Sequence, residues 1–240
     1  MRKLIYLLLL AVVVPFTQSC NSSSDTAKDS FLATLRSDGS KFGFMCILDN
    51  MKTAEVTDLK GTYKHTDGDR VMIYGNLNKN TGASGYNYTV DIHQIAKIIT
   101  DDVKTVSTPE EDVYGNDGIK VSRAWVAGGY LNLEFSVNLN TLMSANCVIS
   151  LVNNVINENK NDGSNNYFEL ELRNKSNLNM EENYSVAHGM ACFRLGEFNP
   201  EREGLSGIKL TYTELGSKDG SKKASTFAKI VSNCIWFCAS

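Results

Sequence analysis

From Tyr130 the chain alternates: Leu131, Leu133, Phe135 and Val137 fall on one side, Asn132, Glu134 and Ser136 on the other. A period of two marks a strand with one buried face. Phe168, Leu170 and Leu172 repeat the pattern against Glu169, Glu171 and Arg173, which are expected to face out. In the first half, Phe44, Cys46 and Leu48 share a face, as do Tyr88, Val90 and Ile92. Shorter apolar runs at 31–35, 56–59, 71–74, 121–126, 148–155, 190–195 and 208–212 add further strands. Asp67-Gly68-Asp69 and Gly128-Gly129 supply turns, and paired glycines suit the positive φ of tight hairpins. About five short strands in the first half predict a small β-barrel or meander. About six antiparallel strands in the second predict a β-sandwich. In the last twenty residues Phe227, Ile230, Val231, Cys234 and Cys238 recur at helical spacing, while Ile235-Trp236-Phe237 reads equally as a strand end.

Two stretches break the alternation. Arg2 and Lys3 precede an apolar run from Leu4 to Phe16, then Thr17-Gln18-Ser19-Cys20 and a serine-rich segment. A positive start, a short apolar core and a small residue before a cut describe a secretory signal peptide over 1–19. The run falls short of the roughly 20 residues that span a bilayer. Ser19-Cys20 resembles the end of a bacterial lipobox, so Cys20 is the expected lipidation site and its acyl chains, of the palmitate type, the membrane anchor. Residues 20–30 then form a tether, since a polar serine-rich chain does not fold alone. The second break is acidic: Asp101, Asp102, Pro109, Glu110, Glu111 and Asp112 mark 101–118 as an irregular linker. That leaves 31–100 as a barrel domain and 119–240 as a sandwich domain with an atypical tail.

Charge narrows the partners. The chain carries 24 Lys+Arg against 27 Asp+Glu, and loss of Arg2 and Lys3 with the leader makes it more acidic. That balance opposes binding to nucleic acid through bulk charge. With Cys20 acylated, Cys46, Cys147, Cys192, Cys234 and Cys238 remain, an odd number without a C-x-x-C pair. They read as small buried hydrophobes rather than a disulfide framework.

No constellation carries catalysis or a cofactor. His65, His93 and His188 have no ligand spacing. Gly82-Ala83-Ser84-Gly85 lacks the nucleophile-elbow spacing. The loop from Asn157 to Gly163 has Asp162 and Phe168 where a calcium loop needs glycine and glutamate. Tyr74, Tyr86 and Tyr88 form a conceivable stacking platform, but an acidic exported chain makes a poor nucleic-acid binder. The candidate ligand-facing aromatics are Trp125, Tyr130 and Trp236.

Several segments together resemble a known family. Asp112-Val113-Tyr114-Gly115-Asn116-Asp117-Gly118-Ile119 leads to Trp125, then Tyr130 to Phe135, Ile149-Ser150-Leu151-Val152 and Phe168 to Arg173. This order resembles the NigD-like lipoproteins of Bacteroides and Prevotella relatives. The resemblance departs at Ser144-Ala145-Asn146-Cys147 and after Leu215. It implies an all-β chain with an OB-like N-terminal barrel and a C-terminal antiparallel β-sandwich. It implies no catalytic residue to carry over, and an association with bacteriocin loci and self-immunity. The expectation is a non-enzymatic, lipid-anchored envelope protein, in the outer membrane and facing the periplasm. It binds an unknown protein or glycan; a glycan- or nutrient-binding accessory lipoprotein is the alternative.

Overall fold

The computed structural model describes residues 29–82, 84–109, 112–140, 147–156, 166–176, 184–216 and 222–228. The expected sites at Cys20 and Trp236, Cys234 and Cys238, and the loop from Asn157 to Gly163 lie outside them.

The barrel uses β1 (Asp29–Ser37), β2 (Phe44–Leu48), β3 (Thr53–Leu59), β4 (Arg70–Lys79) and β5 (Tyr88–Lys97). They close in the order β1-β2-β3-β5-β4, with β4 returning to β1. All neighbours are antiparallel except β3 and β5. This is the OB-like closure the resemblance implied. The alternation holds: Phe44, Cys46, Leu48, Val90 and Ile92 are buried, with Phe31, Ala33, Leu35, Val71 and Ile73. The register of β4 on β5 shifts between Tyr74 and Gly75. A Cβ on Gly75 would stand 2.2 Å from the Asp91 carbonyl oxygen. Only glycine lets the strands approach this closely at the bulge.

The second unit is a sandwich. Its back sheet runs β14 (Lys222–Ala228), β13 (Gly207–Thr213), β11 (Tyr167–Lys175), β10 (Val148–Asn154), β7 (Lys104–Val106). Its front sheet runs β6 (Ile99–Asp102), β12 (Tyr184–Arg194), β9 (Tyr130–Asn140), β8 (Lys120–Ala127). Leu131, Leu133, Phe135 and Val137 meet Leu151, Phe168, Leu170, Leu172, Ile208 and Leu210 in the core between the sheets. A short helix, α1 (Pro200–Glu203), follows β12. Of the terminal residues that recur at helical spacing, Phe227 falls in β14.

Two expectations are corrected. The stretch 101–118 is not wholly an irregular linker, because its first part pairs in the sandwich. β6 adds in parallel to β12 and β7 in parallel to β10. An edge strand needs backbone hydrogen bonds on one side only, so the acidic Ile99-Thr100-Asp101-Asp102 serves without apolar alternation. The sandwich is therefore mixed, with β11 and β13 also parallel. The second correction concerns β11. Glu171 and Arg173 point away from the core, yet the Arg173 side chain is only 5 % exposed. Residues 112–118 cross over that face: Asp112 and Asn116 bond the Arg173 guanidinium. Glu171 pairs with it at 2.5 Å.

Candidate functional site

The barrel docks on the outer face of the front sheet. Leu32 of β1 and Met72 of β4 face each other in register on the outside of the barrel. They pack with Ile98 against Trp125, Tyr130, Met190 and Cys192 of the sandwich. At the centre is Arg70, the first residue of β4, with 1 % of its side chain exposed. Its Nη2 donates to Asp49 Oδ1 at 2.5 Å and to Asn132 Oδ1 at 2.9 Å. Its Nη1 reaches Thr34 Oγ1 at 3.4 Å, and its guanidinium lies 4.6 Å from the Tyr130 ring centre. One buried cation thus ties two barrel strands and the β2–β3 turn to the front sheet. Burial by itself disfavours the cation, but the Asp49 carboxylate, with Cys192 beside it, more than offsets this and raises the Arg70 pKa. The Gly128-Gly129 turn rests on Asp49, whose Oδ1 would be 3.1 Å from a Cβ on Gly128.

Beyond the junction the face opens. Register sets its rows: Trp125, Asn132 and Cys192; then Arg123, Glu134 and Met190; then Lys120, Ser136 and His188; then Asn138 and Val186. The first row is covered by the barrel. Met190 is half-buried, His188 exposed and Val186 52 % exposed. The Arg123 guanidinium stacks 4.7 Å from the Trp125 ring centre and lies 3.9 Å from Glu134. Ser136 and His188 Nδ1 hydrogen-bond at 2.8 Å. The result is a strip of aromatic, cationic and acidic side chains beside the junction, with Ser136 itself buried.

Of the aromatic candidates, Trp125 and Tyr130 are brought together here. Tyr130 is buried beneath Arg70 rather than facing a ligand; Trp125 keeps partial exposure. Tyr74, Tyr86 and Tyr88 do not form a platform: Tyr86 donates its hydroxyl to Asp38 at 3.0 Å, and Lys52 covers the Tyr88 ring. Sequence reasoning missed Arg70, Asn132 and the Ser136–His188 pair. Asn132 and Ser136 sit at polar positions of an alternating strand, which carry no sign of what lies above them. Among the described residues, no group of three His, Cys, Asp or Glu could hold a metal ion. The described thiols are free. Burial, then Asp38, pushes Cys46 up to about 12, and burial, then Asp117, pushes Cys147 up to about 11. Burial also raises Cys192, against the pull of Arg70. None is a thiolate at neutral pH.

An OB-like barrel locked to a two-sheet sandwich, with an open sheet face at the joint, defines an all-β protein of two coupled units. The NigD-like C-terminal beta sandwich domain matches residues 102–227, more than half of the 240-residue chain. The chain belongs to the NigD-like family. Comparison with curated proteins gives no match. Solved structures share the fold across both units. A Bacteroides vulgatus protein of unknown function is 23% identical, with a TM-score of 0.69 over 85% of this chain and 92% of its own. A Parabacteroides distasonis protein described as toxin-related is 19% identical, with a TM-score of 0.60 over 82% of this chain and 91% of its own. A NigD-like immunity protein from Bacteroides caccae is 19% identical, with a TM-score of 0.58 over 85% of this chain and 94% of its own.

Proposed function

We propose that the protein is a lipid-anchored, non-enzymatic binding module of the bacterial envelope that protects its producer against a toxin. The observation that carries this reading is NigD-like family membership, with the whole fold shared by a relative described as an immunity protein. The open strip from Arg123 to Val186 suits contact with a partner, since it offers an aromatic, cations and an apolar rim on rigid strands. Cys20 is the anchor. The neutral Asn21 to Ser24 favour the outer membrane's periplasmic side over display outside the cell.

Deletion in the native bacterium should raise sensitivity to toxins secreted by neighbouring strains. The wild-type gene should restore resistance. Arg123→Glu with His188→Glu should fold but fail to restore it. A deletion strain that resists the whole panel as before rejects the immunity reading. Cys20→Ala should leave the precursor uncut or release the protein from membranes; normal processing and fractionation would reject the anchor. Intact-cell proteolysis tests the face, because a periplasmic protein survives until the outer membrane is broken.

The edge of Trp125 left exposed beside Arg123 favours a second reading, glycan binding. Calorimetric titration with envelope and dietary oligosaccharides tests it, and binding must vanish in Trp125→Ala.

A further inference from the structure

We infer that the barrel flank around Ser30 and Tyr74 is the surface that lies on the bilayer, with the back sheet turned away from it. This rests on the anchor reading of Cys20. Nine peptide links separate Cys20 from Asp29, where β1 begins. Fully extended they reach at most about 32 Å. A barrel of this length is roughly 28 Å across by compactness scaling. Even at full stretch the tether thus reaches little further than the width of the barrel it holds. The side where β1 starts is kept against the membrane.

That side carries a fitting side chain. Asp29 opposes Gly75, and Ser30 opposes Tyr74, which opposes Gln94 on β5. This row lies one step along the barrel's outer face from Leu32 and Met72, which the sandwich covers. Tyr74 is 41 % exposed, one of six large hydrophobics so open among the described residues. Ala96, diagonal to it on β5, is exposed as well. A tyrosine with an apolar ring and a wet hydroxyl suits the headgroup layer. The back sheet, on the far side of the sandwich from the barrel, shows Val148, Lys209 and Lys223 to solvent.

The test reconstitutes the acylated full chain in phosphatidylethanolamine–phosphatidylglycerol vesicles carrying a diazirine headgroup lipid. Mass spectrometry first confirms the acyl group on Cys20; its absence rejects the anchor reading beneath this one. With the acyl group present, photocrosslinks should concentrate on the peptides of β1, β4 and β5 around Ser30, Tyr74 and Gln94. Peptides of β10 and β13 should carry none. Tyr74→Ser, an exposed and fold-neutral change, should lower the β4 crosslink yield while acylation stays complete. Crosslinks as heavy on β10 or β13, or spread evenly over the molecule, overturn the inference.

Discussion

Two arginines show how a residue's role depends on what covers it. Arg70 and Arg173 both stand at polar positions of strands, where solvent is the default expectation. Arg70 is instead the buried meeting point of Thr34, Asp49, Asn132 and Tyr130. Removing one partner of such a cluster leaves the others desolvated and unmatched. Arg70→Ala should therefore cost about 3–5 kcal/mol in urea unfolding. Asp49→Asn should cost less, because Asp49 is 27 % exposed and water can satisfy it. Equal losses would mean that the pairing with Asp49 carries all of Arg70's contribution, and no loss in Asp49→Asn would mean that Arg70 acts only by filling space. A second pair sets a pH dependence. Burial disfavours the Asp69 carboxylate, but Lys97 and the Thr66 N–H outweigh it, so its pKa is lowered on folding. A lowered carboxylate contributes stability above its unfolded value, near pH 4. That stability is lost as pH falls through the folded value. Urea midpoints measured from pH 6 to 2 should fall less steeply at the acid end in Asp69→Asn than in wild type.

At the scale of elements, the strong strands were legible and the edge strands were not. β9 and β11 bury apolar residues on one face, so a period of two betrays them. β6 and β7 bury almost nothing, and of β7 only Val106 enters the interior. Their place is fixed by the open edges of β12 and β10, which no local pattern reports. A fragment from residue 119 to 240 therefore leaves both edges bare. It should aggregate or melt without cooperativity, because unpaired edges recruit other chains. A fragment from 99 to 240 restores β6 and β7 and should give a cooperative β-type melt. Circular dichroism of the two separates the cases, and an equally cooperative melt of the shorter one would make β6 and β7 dispensable.

At the scale of the molecule, the barrel and sandwich share a buried junction rather than a flexible join. The chain passes from β5 to β6 with Ile98 bonding back to the Arg70 carbonyl. Leu32, Met72, Tyr130 and Cys192 close over it. The wild-type described units should thus unfold in one calorimetric transition. In Arg70→Ala the transition should split or broaden, since the remaining junction is a small apolar cluster. A single sharp transition in both proteins would show that Leu32, Met72 and their neighbours couple the units unaided.

Alternation of apolar and polar residues, read along the chain alone, determined the all-β class, the faces of the strong strands and the turns between them. Those features depend on neighbours one or two residues away. The motif order from Asp112 to Arg173 pointed further, to the family and its two-unit plan. Tertiary structure alone decided that Asn132 and Arg173 are buried, that Tyr130 lies under a cation, and that an acidic stretch completes two sheets. Each depends on a segment distant in sequence lying over a face that is locally polar. Periodicity records which side of a strand is apolar; it holds no record of what comes to rest on the other side.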